Sequence, residues 1–142
     1  MSYLVVDSSV VVKWFVVEPF SAEARHILTD YQTGILTLLA PDLINAEVGN
    51  IIWKKHVLQG MDAADAHLVL DTFRTISLVQ TPTAALLDSA YRLAITHRRT
   101  VYDMLYVALS IQEACPFVTA DEKLVNAISA AIPTTMWLGN LP

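Results

Sequence analysis

Tyr3-Leu4-Val5-Val6-Asp7-Ser8-Ser9-Val10 carries the reading on which the fold turns. Four residues, apolar and rich in valine, stop abruptly at an acid and two serines. An apolar run this short reads as a strand buried on both faces. Asp-Ser-Ser is a helix-start signal, so Val10 to Phe15 is expected to form a short helix directly after it. A buried strand feeding a helix is the opening unit of a parallel α/β domain.

The rest of the chain repeats that unit. Ser21 to Gly34 reads as a helix, with Ala22, Ile27, Leu28 and Tyr31 inward and Gly34 as its stop. Ile35 to Leu39 is a second strand, and Pro41-Asp42 opens a long helix that runs to Gln59-Gly60. Asp62 to Thr75 is a helix, Ile76 to Val79 a third strand, Thr83 to His97 and Thr100 to Ala114 two further helices. Pro116 to Thr119 is a fourth strand, Asp121 to Ala131 a helix and Thr134 to Leu138 a last strand. Short apolar strands separated by helices predict an α/β fold with a parallel sheet. Ligands of such sheets sit beyond the carboxyl ends of the strands. Asp7 and Asp121 fall at that edge.

Composition agrees. With 142 residues, 54% of them hydrophobic, the chain suits a single domain over 1–142 with a sizeable core. No apolar run reaches the ~18 residues a spanning helix needs, and the N-terminus lacks a signal-peptide pattern. Cys115 is the only cysteine, which excludes an internal disulfide and fits a reducing, cytoplasmic setting. The net charge of −5 argues against gripping a duplex through a broad basic face.

Four acids stand in unusual company. Glu47 sits inside the apolar stripe Leu43, Ile44, Val48, Ile51 and Ile52, and Asn50 points to nearly the same side. A carboxylate there needs a partner, because burying it alone costs several kcal/mol. The plain alternative is a marginal Glu paired with a lysine such as Lys54. Asp103 lies in Val101–Leu109, a helix apolar nearly all round, where its alternative role is the N3 partner of a Thr100 cap. Asp7 is also a candidate cap. Thr119 is a candidate cap for the last long helix, with Asp121 in its acidic first turn. Parallel strands bring all four acids toward one edge, where like charges need divalent cations to neutralise them. Carboxylates are hard ligands suited to Mg²⁺ or Mn²⁺, one or two ions, and such sites perform phosphoryl chemistry. The four histidines and one cysteine show no zinc spacing, and no glycine-rich phosphate loop occurs. A phosphatase with Asp7 as nucleophile is disfavoured, since Ser9 stands where a second aspartate is needed.

Leu4–Val10, Pro41–Asn50, Thr100–Leu109 and Phe117–Asp121, taken together and in this order, resemble the PIN-domain ribonucleases, most closely the VapC-type toxins of prokaryotic toxin–antitoxin pairs. The resemblance implies a three-layer α/β/α fold around a parallel sheet of about five short strands. It implies a metal-dependent endoribonuclease using Mg²⁺ or Mn²⁺, whose acidic quartet falls on Asp7, Glu47, Asp103 and Asp121. Supporting positions fall on Ser9, Thr119 and Asn50. An RNA substrate, a cognate antitoxin and a homodimer are the implied partners, with no membrane involved. Lys13, Arg98 and Arg99 are candidate phosphate contacts, and Lys54 and Lys55 are further lysines in reach of that role. Trp14, Phe15, Ile52, Trp53 and Val57 are either core or an interaction groove. The alternative function is a catalytically silent PIN-like scaffold acting through its apolar helices.

Overall fold

A computed structural model describes residues 2–142. Five strands form one sheet: β1 (Ser2–Val6), β2 (Leu36–Pro41), β3 (Val79–Thr81), β4 (Phe117–Thr119) and β5 (Thr135–Trp137). Every pairing is parallel, and the spatial order is β3-β2-β1-β4-β5. Seven α-helices connect them: α1 (Ser8–Val11), α2 (Ser21–Gln32), α3 (Leu43–Gln59), α4 (Ala63–Thr75), α5 (Thr83–His97), α6 (Val101–Gln112) and α7 (Glu122–Ile128). The helices cover the sheet as the outer layers of a three-layer α/β/α sandwich.

Leu4, Val5 and Val6 are buried, as are Phe117, Val118 and Thr119 of β4. That is the residue content of strands covered on both faces. The chain winds outward from β1 through β2 to β3, then returns across the sheet to β4 and β5. The order reverses between β1 and β4, and the crevice at their carboxyl ends is where such sheets bind ligands. Helix α6 lies against β1, β2 and β4. Its seven consecutive residues Met104–Ser110 are buried, which explains why that segment is apolar nearly all round.

Most boundaries fall within two residues of the sequence reading. The short first helix is four α-residues followed by a 3-10 turn over Val12–Trp14. The last long helix stops at Ile128, not Ala131. The third strand needs a larger correction: it is Val79–Thr81, not Ile76–Val79. Ile76 ends α4, and Leu78 N–H donates back to the Ile76 carbonyl, so 76–78 form a turn. Ile76 and Leu78 are apolar because they pack on the core. The strand itself pairs Val79, Gln80 and Thr81 with Leu39, Ala40 and Pro41.

Gly34 and Gly60 follow α2 and α3 with φ of 80° and 77°, where a β-carbon would be strained. Helix α6 ends the same way without a glycine. Ala114 takes φ 51°, its N–H donates to the Ile111 carbonyl, and Cys115 N–H donates to the Ser110 carbonyl. This pair of bonds defines a Schellman closure whose left-handed position is occupied by alanine. Ala114→Gly is expected to stabilise the fold by about 1 kcal/mol, raising the melting temperature by roughly 3 °C. A calorimetric scan showing no rise would contradict the assignment.

Candidate active site

Asp7 ends β1 and caps α1. Its Oδ1 accepts from the Val10 N–H at 3.3 Å and from the Ser9 hydroxyl, and its Oδ2 accepts from the Thr119 hydroxyl. Thr119 ends β4, so one carboxylate ties the carboxyl ends of the two central strands together. The network continues outward. Ser9 Oγ accepts from the Ala120 N–H at 3.0 Å, and Thr119 Oγ1 accepts from the Asp121 N–H at 3.1 Å. The resemblance implied supporting positions for both hydroxyls, and here both donate to the Asp7 carboxylate.

Glu47, on α3, is half-buried. Its Oε1 accepts from the Tyr106 hydroxyl and, at 3.3 Å, from the Ser8 hydroxyl. Its partner is therefore not Lys54. Tyr106 is 2% exposed and stacks on Phe117 with ring centroids 5.9 Å apart. A buried phenol must place its hydroxyl on a polar partner. Tyr106 lies three residues after Asp103, on the same side of α6. That hydroxyl, on the face of α6 that also carries Asp103, was the available signal for Glu47's partner; Ser8 carried none. Asn50 is exposed, and no hydrogen bond joins it to Glu47 among the described residues.

Asp103 and Asp121 keep their capping geometry. Thr100 caps α6 through the Asp103 N–H at 3.1 Å. Asp121, not Thr119, caps α7, its Oδ1 accepting from Leu124 N–H at 3.1 Å. Each acid also turns a carboxylate oxygen to Arg99: Nη2 stands 3.7 Å from Asp103 Oδ2 and 3.8 Å from Asp121 Oδ2. Capping and membership of the site are thus compatible for both. Arg98 is exposed. Lys13 is paired with Glu18: it and Lys55 stand 3.4 and 2.8 Å from that carboxylate. Those two lysines outweigh the effect of burial and hold Glu18 below the usual carboxylate range.

The acids act on one another. Burial pushes Asp7 up to about 6 against the pull of its three donors, and Glu47 adds to the rise. Burial raises Glu47, with Asp103 contributing. Burial raises Asp103 as well, against Arg99 and with Asp121. Burial and the neighbouring Glu47 carboxylate raise Tyr106, so its hydroxyl stays a proton donor. Among the described residues no three acidic, histidine or cysteine side chains close on a point as a finished metal cage. The set is nonetheless all-oxygen, crowded with like charge and short of cations, which is the chemistry a hard divalent ion fits.

Of the five large side chains open to two readings, Trp14 and Ile52 are core, and Phe15 packs partly buried against it. The Trp14 indole donates to the Ala24 carbonyl at 2.8 Å. Trp53 and Val57 are each 53% exposed.

This arrangement has counterparts. The PIN domain family model matches residues 4–128. Ribonuclease VapC3 of Pyrobaculum aerophilum is 30% identical over 132 residues, covering 91% of this chain and 97% of that protein. Ribonuclease VapC9 of Mycobacterium tuberculosis is 28% identical over 120 residues, 82% of this chain and 93% of that protein. The crystal structure of PAE2754 from Pyrobaculum aerophilum has the same fold: TM-score 0.69 at 23% identity, covering 98% of this chain and 92% of the other. The chain belongs to the PIN-domain family, in its VapC-type branch.

The Asp7 shift has a measurable consequence. A carboxyl near 3.8 when unfolded and about 6 when folded leaves the fold unpenalised below pH 3.8. The penalty grows as pH rises and is complete above pH 6, on the order of 3 kcal/mol. Asp7→Asn is therefore expected to raise the melting temperature of the metal-free protein at pH 8, with a gain that shrinks toward pH 4.5. Thermal melts across that range showing a constant or negative difference would refute the buried-charge account.

Proposed function

We propose that this chain is a divalent-metal-dependent endoribonuclease, the toxin component of a toxin–antitoxin pair. One observation carries the reading: in a VapC-type PIN chain, Asp7, Glu47, Asp103 and Asp121 stand together at the carboxyl edge of the sheet, where burial and a neighbouring acid raise the proton affinity of Asp7, Glu47 and Asp103. The relatives named ribonuclease VapC support the same reading.

Asp7, Glu47, Asp103 and Asp121 are the residues proposed to hold Mg²⁺ or Mn²⁺, one or two ions. Such a cation, when bound, supplies Lewis-acid chemistry and countercharge to a phosphodiester. The chain's own residues supply position and proton transfer. Ser9 and Thr119 fix the Asp7 carboxylate, and Tyr106 and Ser8 fix Glu47 through Oε1. That leaves Glu47 Oε2 as the oxygen proposed to take a proton from the attacking water, a role suited to a carboxylate with raised proton affinity. Arg99 and the exposed Arg98 are the proposed phosphate contacts. Lys13 is a weaker candidate because Glu18 already neutralises it.

We further propose a single domain over 1–142, a cognate antitoxin and a homodimer as partners, and a cytoplasmic setting. Exposed Trp53, on the rim of an apolar groove of about 330 Å³ between α3 and α4, supports a protein partner. No helix among the described residues is long and apolar enough to cross a membrane. The silent-scaffold reading is not favoured, since a scaffold has no use for a mutually repelling acidic quartet.

The test is cleavage of a defined RNA panel with Mg²⁺, Mn²⁺ or EDTA. Asp7→Asn and Asp103→Asn are each expected to lower the rate at least a hundredfold while circular dichroism stays unchanged. EDTA is expected to abolish cleavage. Undiminished Mg²⁺-dependent cleavage by both purified variants would sink the proposal.

A further inference from the structure

Among the described residues, the acidic edge pairs with one cation, Arg99. Arg99 Nη2 stands between Asp103 Oδ2 and Asp121 Oδ2, at 3.7 and 3.8 Å. Both separations are ion-pair distances and too long for hydrogen bonds. Arg99 Nε is buried and has no hydrogen-bond partner among the described residues. Arginine in a fitted pair uses its fork, with two parallel N–H···O bonds to one carboxylate. Arg99 does not. It is held by charge, straddling two acids, with part of its hydrogen-bonding capacity unused.

The backbone aims it there. Arg98 ends α5 in the left-handed region at φ 54°, and the N–H groups of Arg98 and Arg99 both donate to the Ala94 carbonyl. Thr100 then caps α6. Within this short link Arg98 faces solvent, and Arg99 is only 26% exposed, with its guanidinium against the site.

Resting on the ribonuclease reading above, we propose that Arg99 is the resident counter-ion of the Asp103–Asp121 pair, and that a divalent cation binds this pair only in exchange for the guanidinium. A divalent ion held by these two carboxylates would compete with the guanidinium for the same negative charge. Each would repel the other strongly at the separations involved. The loose, unforked contact makes the exchange feasible, because few hydrogen bonds are lost when Arg99 leaves. Once displaced it keeps its charge and its fork, free for a phosphate. Arg99 thus lessens the repulsion between Asp103 and Asp121 in the metal-free edge, at a cost in metal affinity.

The experiment is isothermal titration of Mn²⁺ into the intact wild-type chain and into Arg99→Gln and Arg99→Lys at one pH and salt concentration. Arg99→Gln removes the competing charge and is expected to bind Mn²⁺ about tenfold more tightly. Arg99→Lys keeps the charge and is expected to stay within about threefold of wild type. Arg99→Gln binding no tighter than wild type overturns the exchange and leaves the ribonuclease reading standing. No Mn²⁺ binding by any of the three proteins overturns both. A second measurement needs no variant of uncertain folding: NMR of the Arg99 Nε–H in wild type titrated with Mg²⁺. That proton is expected to be protected from solvent exchange without the ion and to lose protection with it. Unchanged protection at saturating Mg²⁺ overturns the proposal.

Discussion

The rest of the molecule is arranged around a carboxylate taken out of water at the end of its central strand. Asp7 is 9% exposed, and burying a charge is costly unless donors surround it. Those donors come from two places: Ser9 and Val10 on α1, and Thr119 at the end of β4. The strands paired through Asp7 are the two at which the sheet reverses its winding. One group therefore locks the junction of the two halves and opens the crevice where chemistry is possible. Burial outweighs the three donors, so the carboxyl rests near 6. The site stores a charge imbalance that the metal-free fold does not fully relieve.

Around it the other acids form a relay of mutual repulsion, Glu47 on Asp7, Asp103 on Glu47 and Asp121 on Asp103. Seen this way the net charge of −5 changes meaning, because without those four acids the chain carries −1. The acidic excess is local. It weighs against metal-free RNA binding over a broad face and is consistent with contact through bound cations and a few basic side chains. Against this field the fold sets uncharged hydroxyl donors at Asp7 and Glu47, and a single guanidinium at Asp103 and Asp121.

Much of this was legible before any coordinates. Apolar strand runs, glycine stops at Gly34 and Gly60, and the Thr100 cap are local rules that tertiary structure did not override. Where local rules had no purchase, the reading slipped. The third strand is an edge strand whose Gln80 and Thr81 show no apolar pattern. It exists because β2 offers unpaired backbone groups, which side chains do not advertise. The left-handed end of α6 was hidden by Ala114. Lys54 was the nearest basic residue to Glu47 along the helix, but the partner that prevailed, Tyr106, is 59 residues away. Asn50 shares Glu47's side of the helix on a wheel, yet one turn further along α3 the surroundings have become solvent.

What the sequence by itself determined is the alternation of buried strands and helices and the identity of four acids at strand ends or in otherwise apolar helices. Both follow from local pattern, which is written at each residue where it stands. Only the tertiary structure decided which partners those acids have. Asp7 is bound to a threonine 112 residues away, and Arg99 divides itself between Asp103 and Asp121. A hydrogen bond or ion pair depends on angstrom-scale distance, and the chain reaches such distances between remote residues only when the sheet order and crossovers bring them together.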